Sequence, residues 1–263
     1  MSRPRISIVT PSLNQAAFLP RTLESVLSQV GDFDLEYVVQ DGGSTDGSAE
    51  LLRRYEAERR ISLRVEKDSG QSDAINRGLR RTTGDLVGWV NSDDLLLPGT
   101  LARVAAAFAA SPGAAWLHGG CEIVDEQDRP IRRWITAYKD WRCRHYSRRA
   151  LLVENFVSQM TVFWRRSAME RVGLLDESLR YTFDYEYWLR LSALGDPLFL
   201  PGRIAAFRWY TSSKSGAQFE KQFAEDYAVF ERHAPPGALL RLHKRLRTAQ
   251  IVGAYRLLRA LRG

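Results

Sequence analysis

The sequence predicts an α/β fold, with a mostly parallel sheet and helices on both faces, and three observations carry that expectation. Strand-like and helix-like segments alternate through roughly the first 110 residues. A polar loop rich in Asp, Asn, Ser or Gly follows each of the first strand-like segments. The composition, 44% hydrophobic and 26% charged over 263 residues, is that of a globular chain long enough for one large domain. Alternation at this spacing lays strands parallel, and such sheets bind ligands at the carboxyl ends of their strands.

Residues 6–10 read as a buried strand. Pro20 then opens a helix with Leu19, Leu23, Val26 and Leu27 on one face, proline being well tolerated in a first turn. Residues 35–40 form a second strand and residues 49–55 a helix. Residues 61–65 alternate as a third strand, and residues 71–81 are helical. Residues 86–90 form a fourth strand, and the Ala-rich stretch 98–110 a helix. The polar clusters Thr10-Pro11-Ser12-Leu13-Asn14, Asp41-Gly42-Gly43, Asp68-Ser69-Gly70-Gln71 and Asn91-Ser92-Asp93-Asp94 all follow strands. Any one of them is an ordinary turn, because these residue types suit turn conformations. Four on one edge point to a shared crevice. Later residues are less regular: a strand at 115–125, an irregular aromatic- and Arg-rich segment at 131–155, short helices at 167–172 and 183–194, strand material at 198–210 interrupted by Pro201-Gly202, and a helix at 218–232.

The net charge of +7 comes from 38 Lys+Arg against 31 Asp+Glu. Residues 238–263 hold seven basic residues and no acid, which leaves 31 against 31 in residues 1–237. The chain is therefore divided into a body, 1–237, and a basic helical tail, 238–263. In the tail Leu239, Leu242, Leu246 and Ala249 recur at helical spacing among basic residues. Two readings stand side by side: an amphipathic helix in an anionic membrane interface, or a helix packed on the body with a solvated basic face. No apolar run approaches a membrane span, and the N-terminus lacks the core of a secretory signal. A cytoplasmic location is expected, with peripheral attachment to the inner face of the plasma membrane if the tail binds lipid. Cys121 and Cys143 have no metal-type spacing.

The chemistry narrows from there. Neither a Gly-x-x-x-x-Gly-Lys-Ser/Thr loop nor a Gly-x-Gly-x-x-Gly after the first strand is present. The four histidines make no zinc-type pair, so a metal would be held by carboxylates, which favours Mg²⁺ or Mn²⁺. Asp93 and Asp94 suit such a sparse site.

The segments Ile8 to Asn14, Gln40 to Ser48, Gly70 to Gly78, Asn91 to Asp94, Gln159 to Phe163 and Phe183 to Leu191 resemble, in order and spacing, glycosyltransferase family 2. The resemblance covers roughly residues 5–215. It implies a GT-A fold and inverting, metal-assisted transfer from a nucleotide sugar, commonly a UDP-sugar. It implies as acceptor a hydroxyl of a glycan or lipid-linked chain. It also implies a nucleotide pocket containing Thr10, Pro11, Ser12, Asn14, Asp41, Gly42, Asp68, Gly70, Asp73, Asn76, Arg77, Asn91 and Ser92. Asn91-Ser92-Asp93 stands where the family carries Asp-x-Asp, so Asp93 would bind the metal, with Asp94 beside it. Gln159 resembles an acceptor-side residue, and Tyr210 stands at a position often held by histidine. Lys214 either neutralises diphosphate or sits in a solvated turn.

Inversion needs one carboxylate base near the acceptor hydroxyl. On a helix through 183–191, Tyr185, Trp188, Leu191 and Ser192 define an inward arc with Asp184 at its edge. Glu186 faces away, with Arg190 as its (i, i+4) partner. Asp184 is therefore expected as base, with Glu186 a lesser acceptor-side candidate. Two other functions compete. A sugar-phosphate nucleotidyltransferase would need a Gly-rich basic loop after the first strand, where Thr10-Pro11-Ser12 stands. A non-catalytic nucleic-acid-binding protein would leave acidic loops at its phosphate site, which repel without a metal. No nucleic-acid partner is expected.

Overall fold

The computed structural model describes residues 3–210 and 219–260. One eight-stranded sheet runs β3-β2-β1-β4-β7-β6-β8-β5. Its strands are β1 (Arg5–Ser12), β2 (Asp34–Asp41), β3 (Ser62–Val65), β4 (Leu86–Trp89), β5 (Leu95–Leu96), β6 (Trp116–Val124), β7 (Phe163–Arg165) and β8 (Leu198–Arg208). The helices are α1 (Leu19–Leu27), α2 (Ser48–Ala57), α3 (Gln71–Arg81), α4 (Thr100–Ala110), α5 (Arg133–Arg144), α6 (Arg148–Val153), α7 (Arg166–Val172), α8 (Phe183–Leu191), α9 (Phe219–His233) and α10 (Ala238–Ala260). β3, β2, β1 and β4 are parallel neighbours, so their carboxyl ends share one edge. β7 pairs antiparallel with both β4 and β6 and joins this half to a second parallel pair, β6 with β8.

The sheet divides two cores by residue alternation, since successive strand side chains point to opposite faces. Ile6, Ile8, Val39 and Leu86 face the core beneath α1, α2 and α4. Val9, Val38, Val87, Trp116 and Trp164 face the core beneath α3 and α6 to α8. Helix α3 approaches β1 closely because residue 78 is glycine: a Cβ there would meet Val9 Cγ1 at 2.4 Å.

Residues 131–155 hold two short helices, α5 and α6. Two expectations change in the structure. Pro201-Gly202 does not end a strand; β8 continues through it, skipping two residues of register opposite Gly119-Gly120, a bulge. The tail packs on the body through a face other than its leucine stripe. Leu240 joins the core, and Lys244 is buried against Asp226 of α9 with its ammonium over the Tyr185 and Phe230 rings. Leu239, Leu242 and Leu246 are exposed. Burial drives the Asp226 carboxyl upward and the Lys244 ammonium downward, each opposed by the other's charge. Cys121 and Cys143 are both buried as free thiols.

Asp226→Ala is expected to cost about 3–5 kcal/mol, because it strands the Lys244 charge. The double change Asp226→Leu with Lys244→Met is expected to recover most of that loss in urea denaturation.

Candidate functional site

The loops after β1, β2 and β3 are bound to one another by side chains that the sequence marks as polar turns. Asp41 is buried; its Oδ1 accepts from the Gly43 and Ser44 amides at 3.0 and 2.8 Å and its Oδ2 from Ser44 Oγ at 2.7 Å. Asn14, at φ +53°, donates its amide to Ser44 Oγ and accepts from Thr45 N, each at 2.8 Å. Asp68 lies against Gly42, where a Cβ would come within 2.4 Å of Asp68 Oδ2 and push that carboxylate aside. Burial, with Asp73 and Asp41 nearby, raises the Asp68 carboxyl despite the Gly70 N–H on its Oδ1. Gly70 turns the chain into α3 at φ +146°. Asp73 is held low, chiefly by Arg77 Nε at 2.8 Å. Arg77 also pairs with Glu66 at 3.3 Å and donates to the Lys67 carbonyl. Pro11 is buried, Thr10 Oγ1 shares a 2.9 Å hydrogen bond with Tyr37, and Ser12 Oγ is buried without a hydrogen-bond partner among the described residues.

Asn76, expected at the nucleotide, is engaged within the fold. It is buried, donates to the Leu175 carbonyl at 2.9 Å and to Glu177 at 2.7 Å, and accepts from Leu175 N at 2.9 Å. Its amide is consumed tying α3 to the segment before α8.

The end of β4 is a second network, centred on Asn91. Its Nδ2 donates to Asp94 Oδ2 at 3.1 Å and to Gln159 Oε1 at 3.0 Å, and its Oδ1 accepts from Gln71 at 2.9 Å. Gln159 in turn donates to the Trp89 carbonyl at 2.7 Å, so it braces the strand end. Asp94, expected beside the metal, is buried, and its other oxygen accepts from Arg208 N at 3.2 Å. Burial first, and Asp93 next to it, raise its carboxyl well above the usual range. Ser92 is buried, and its carbonyl accepts from Thr22 Oγ1. Asp93 is half-buried and accepts from the Tyr210 hydroxyl at 2.7 Å. Burial raises its carboxyl, and the Tyr210 hydrogen bond opposes that. Of the two neighbouring acids, Asp93 is the one whose side chain is not consumed by the backbone.

Arg208, Asp128 and Phe18 complete this end, and sequence reasoning missed all three. The Arg208 guanidinium is fully buried; it meets Asp128 at 2.5 and 3.1 Å and donates to the Asp93 carbonyl at 2.8 Å. Arg21 of α1 adds a 2.7 Å contact to Asp128. Phe18 lies 5.4 Å from the Arg208 charge and 5.0 Å from the Tyr210 ring. The sole sequence hint was an arginine interrupting an otherwise apolar strand end. Lys214 lies outside the described residues.

Helix α8 is buried on most sides, more than the single arc expected. Trp188 stacks on Trp89 of β4 at 5.2 Å, and the Tyr185 hydroxyl donates to the Leu152 carbonyl at 2.6 Å. Asp184 is half-buried in the first turn, its Oδ1 accepting from Tyr185 N at 2.7 Å. The loop before it is clamped by Glu225 of α9, which accepts from the Arg180, Tyr181 and Thr182 amides at 2.9, 2.7 and 2.7 Å. Burial works against the Glu225 charge, yet these donors outweigh it and hold the carboxyl low. Glu186 does pair with Arg190, at 2.7 Å, but it is buried and also meets His233 of α9 at 3.1 Å. Both oxygens of this acceptor-side candidate meet these partners and brace α8.

The family model for glycosyl transferase family 2 matches residues 7–172. The chain belongs to glycosyl transferase family 2. It is a glycosyltransferase with a GT-A fold, taking sugar from a nucleotide-sugar donor. Among relatives of this glycosyltransferase, a PGL/p-HBAD biosynthesis glycosyltransferase of Mycobacterium bovis is 30% identical over 194 residues, 72% of this chain and 70% of its own. Among solved structures, the mannosyltransferase PcManGT from Pyrobaculum calidifontis, in complex with GDP-Man and Mn²⁺, superposes with a TM-score of 0.68 at 20% identity, over 99% of this chain and 76% of that one. S. aureus TarS 1–349 with UDP-GlcNAc gives 0.64 at 15% identity, over 94% and 71%. Against the longer TarS chain this glycosyltransferase spans 43% of the length.

No cluster of three His, Cys, Asp or Glu is assembled for a metal among the described residues. The donor set of the glycosyltransferase nevertheless fits a hard divalent cation, which commonly takes one or two protein carboxylates and fills its remaining positions with phosphate oxygens and water. Asp93 is the half-buried carboxylate available for such a role at this strand end.

Arg208→Ala is expected to lower stability by about 3–5 kcal/mol, since it leaves Asp128 without its buried partner; a fall of roughly 10 °C in the melting midpoint checks this. Glu225→Gln tests the clamp by its pH dependence. The Glu225 carboxyl is lowered from its ordinary 4.5, so its contribution is complete above that value and fades as pH falls through the lowered one. The stability gap between wild type and variant is therefore expected to narrow in acid, read by urea denaturation across pH.

Proposed function

We propose that this family 2 glycosyltransferase inverts, moving a sugar from a nucleoside diphosphate donor, a UDP-sugar, to a hydroxyl of a glycan or lipid-linked acceptor on the cytoplasmic side of a membrane. Asp184 is the base and Asp93 the cation ligand. One observation carries the reading. Four neighbouring parallel strands bring their polar loops to one edge, and α8 is fixed to that edge by Trp188 on Trp89, with each acid four residues from its member of the stack.

Asp184 sits in the first turn of α8, where the positive end of the helix dipole favours a carboxylate. It takes the proton of the acceptor hydroxyl while that oxygen bonds to the anomeric carbon from the face opposite the diphosphate. The carbon–oxygen bond to the diphosphate breaks, its electron pair leaves with the phosphate oxygen, and Asp184 ends protonated. When bound, Mg²⁺ or Mn²⁺ supplies positive charge for the departing diphosphate. Asp93 holds the ion, oriented by the Tyr210 hydroxyl and by the Arg208 contact to its own carbonyl. On the nucleotide side, Ser12, Asp68 and Arg77 are the groups proposed to meet the base and ribose, on loops that Asp41 shapes from within.

Asp184→Asn is expected to lower turnover by 10²-fold or more while donor binding stays within about threefold, because it removes proton transfer alone. Asp93→Asn is expected to raise the Mn²⁺ concentration for half-maximal rate by about tenfold or more. Full turnover by the Asp184 variant removes the base assignment, and an unchanged metal requirement removes Asp93 as ligand.

A further inference from the structure

Two helices that line one basic cleft, α5 and α10, each carry an exposed apolar stripe. On α5, Trp134 is 69% exposed and Trp141 54%. Seven residues apart, they share a helix stripe with Tyr138. On α10, Leu239 is 71% exposed, Leu246 57% and Leu242 53%. Leu239 and Leu246 share a stripe with His243, and Leu242 lies one step around. Tyr138 and Arg142 of α5 face His243 and Arg247 of α10 across a cleft of about 410 Å³, which Arg149 and Glu154 also line. Among the described residues lining it, Glu154 is the only acid. Its charge is already shared by Arg247, at 3.0 Å, and Arg142, at 3.7 Å, so Arg149 leaves the lining positive.

Single exposed apolar side chains are ordinary on protein surfaces. Five large ones bordering one positive cleft form a patch with a defined chemistry. Tryptophan concentrates at the membrane–water boundary. Leucines beside basic groups on a helix lying in the surface plane are the pattern of interfacial binding, and anionic headgroups attract the neighbouring cations. Arg142, Arg149 and Arg247 outnumber Glu154 in the cleft, which selects a negatively charged occupant.

We propose that this face seats the protein on an anionic lipid bilayer, with Trp134, Trp141, Leu239, Leu242 and Leu246 at the boundary between headgroups and acyl chains and Arg149 meeting lipid phosphate. The surface is bipartite. The tail cannot be removed to test it, because Leu240 and Lys244 belong to the core. The assignment stands apart from the transfer chemistry, since none of these residues belongs to the proposed site.

The test is flotation of the full chain with vesicles of phosphatidylcholine alone or mixed equally with phosphatidylglycerol. Flotation is expected with the mixed vesicles and is weakened by salt. The pairs Trp134→Ser with Trp141→Ser, and Leu242→Ser with Leu246→Ser, are each expected to lower partitioning about tenfold or more, with melting midpoint and donor binding retained. Arg149→Glu is expected to weaken the anionic preference. As a check independent of these substitutions' folding, lipids brominated near the headgroup are expected to quench wild-type tryptophan fluorescence, and the conservative pair Trp134→Phe with Trp141→Phe to lose that quenching. Equal flotation of wild type and variants, no flotation of wild type, or a wild-type dimer in sedimentation that the Trp134 and Trp141 changes dissolve would overturn the proposal.

Discussion

A buried guanidinium organises the reactive end of this molecule. Arg208, the last residue of β8, is removed from water and must be met by charge and hydrogen-bond acceptors, because an unpaired ion in a protein interior is strongly disfavoured. It is met by Asp128 from the turn after β6 and by the Asp93 carbonyl after β4. Arg21 of α1 reaches the same aspartate. Three strand ends and a helix are thereby held in one arrangement, and the Arg208 amide fixes Asp94 on the way. The geometry at Asp93 follows from this arrangement as much as from the strand that carries it.

The acidic residues divide by what their oxygens touch. Asp41 and Asp94 are buried and engaged with the chain's own donors, and they build the loops. Glu186 and Glu225 act at a distance from the edge, bracing α8 through Arg190 and His233 and through the backbone before its first turn. Asp93, Asp184 and Asp68 retain partial exposure. This division has an energetic basis: a buried carboxylate must be satisfied internally, and a satisfied one has little capacity left for a ligand.

The C-terminal helices have two faces with different tasks. Toward the body, Asp226 with Lys244, together with Glu225 and His233, supports the helix that carries Asp184. Away from it, the leucines of α10 and the tryptophans of α5 stand in solvent around the basic cleft. The supporting face and the open face belong to the same helix, so a surface event at α10 lies one helix away from α8.

Much was legible in the chain alone. Alternating apolar residues set which side of each strand faces which core, because a strand's side-chain period is two whatever surrounds it. The order of strand, polar loop and helix placed the four clusters on one edge, and six motifs in sequence pointed to the family. What the sequence left open was partnership between distant segments. Asn76 and Asp94 looked like ligands because amides and carboxylates carry the same chemistry whether they meet a nucleotide or a backbone amide; only the fold supplied Leu175 and Arg208. Arg208 and Asp128 stand 80 residues apart, and no local pattern links them. In α10 the helical period gave two candidate faces, and polarity pointed to the leucines as the buried one. The tertiary structure chose the other, because Asp226 lies where it can neutralise Lys244, and a paired lysine whose stem packs on aromatic rings is as acceptable inside as a leucine.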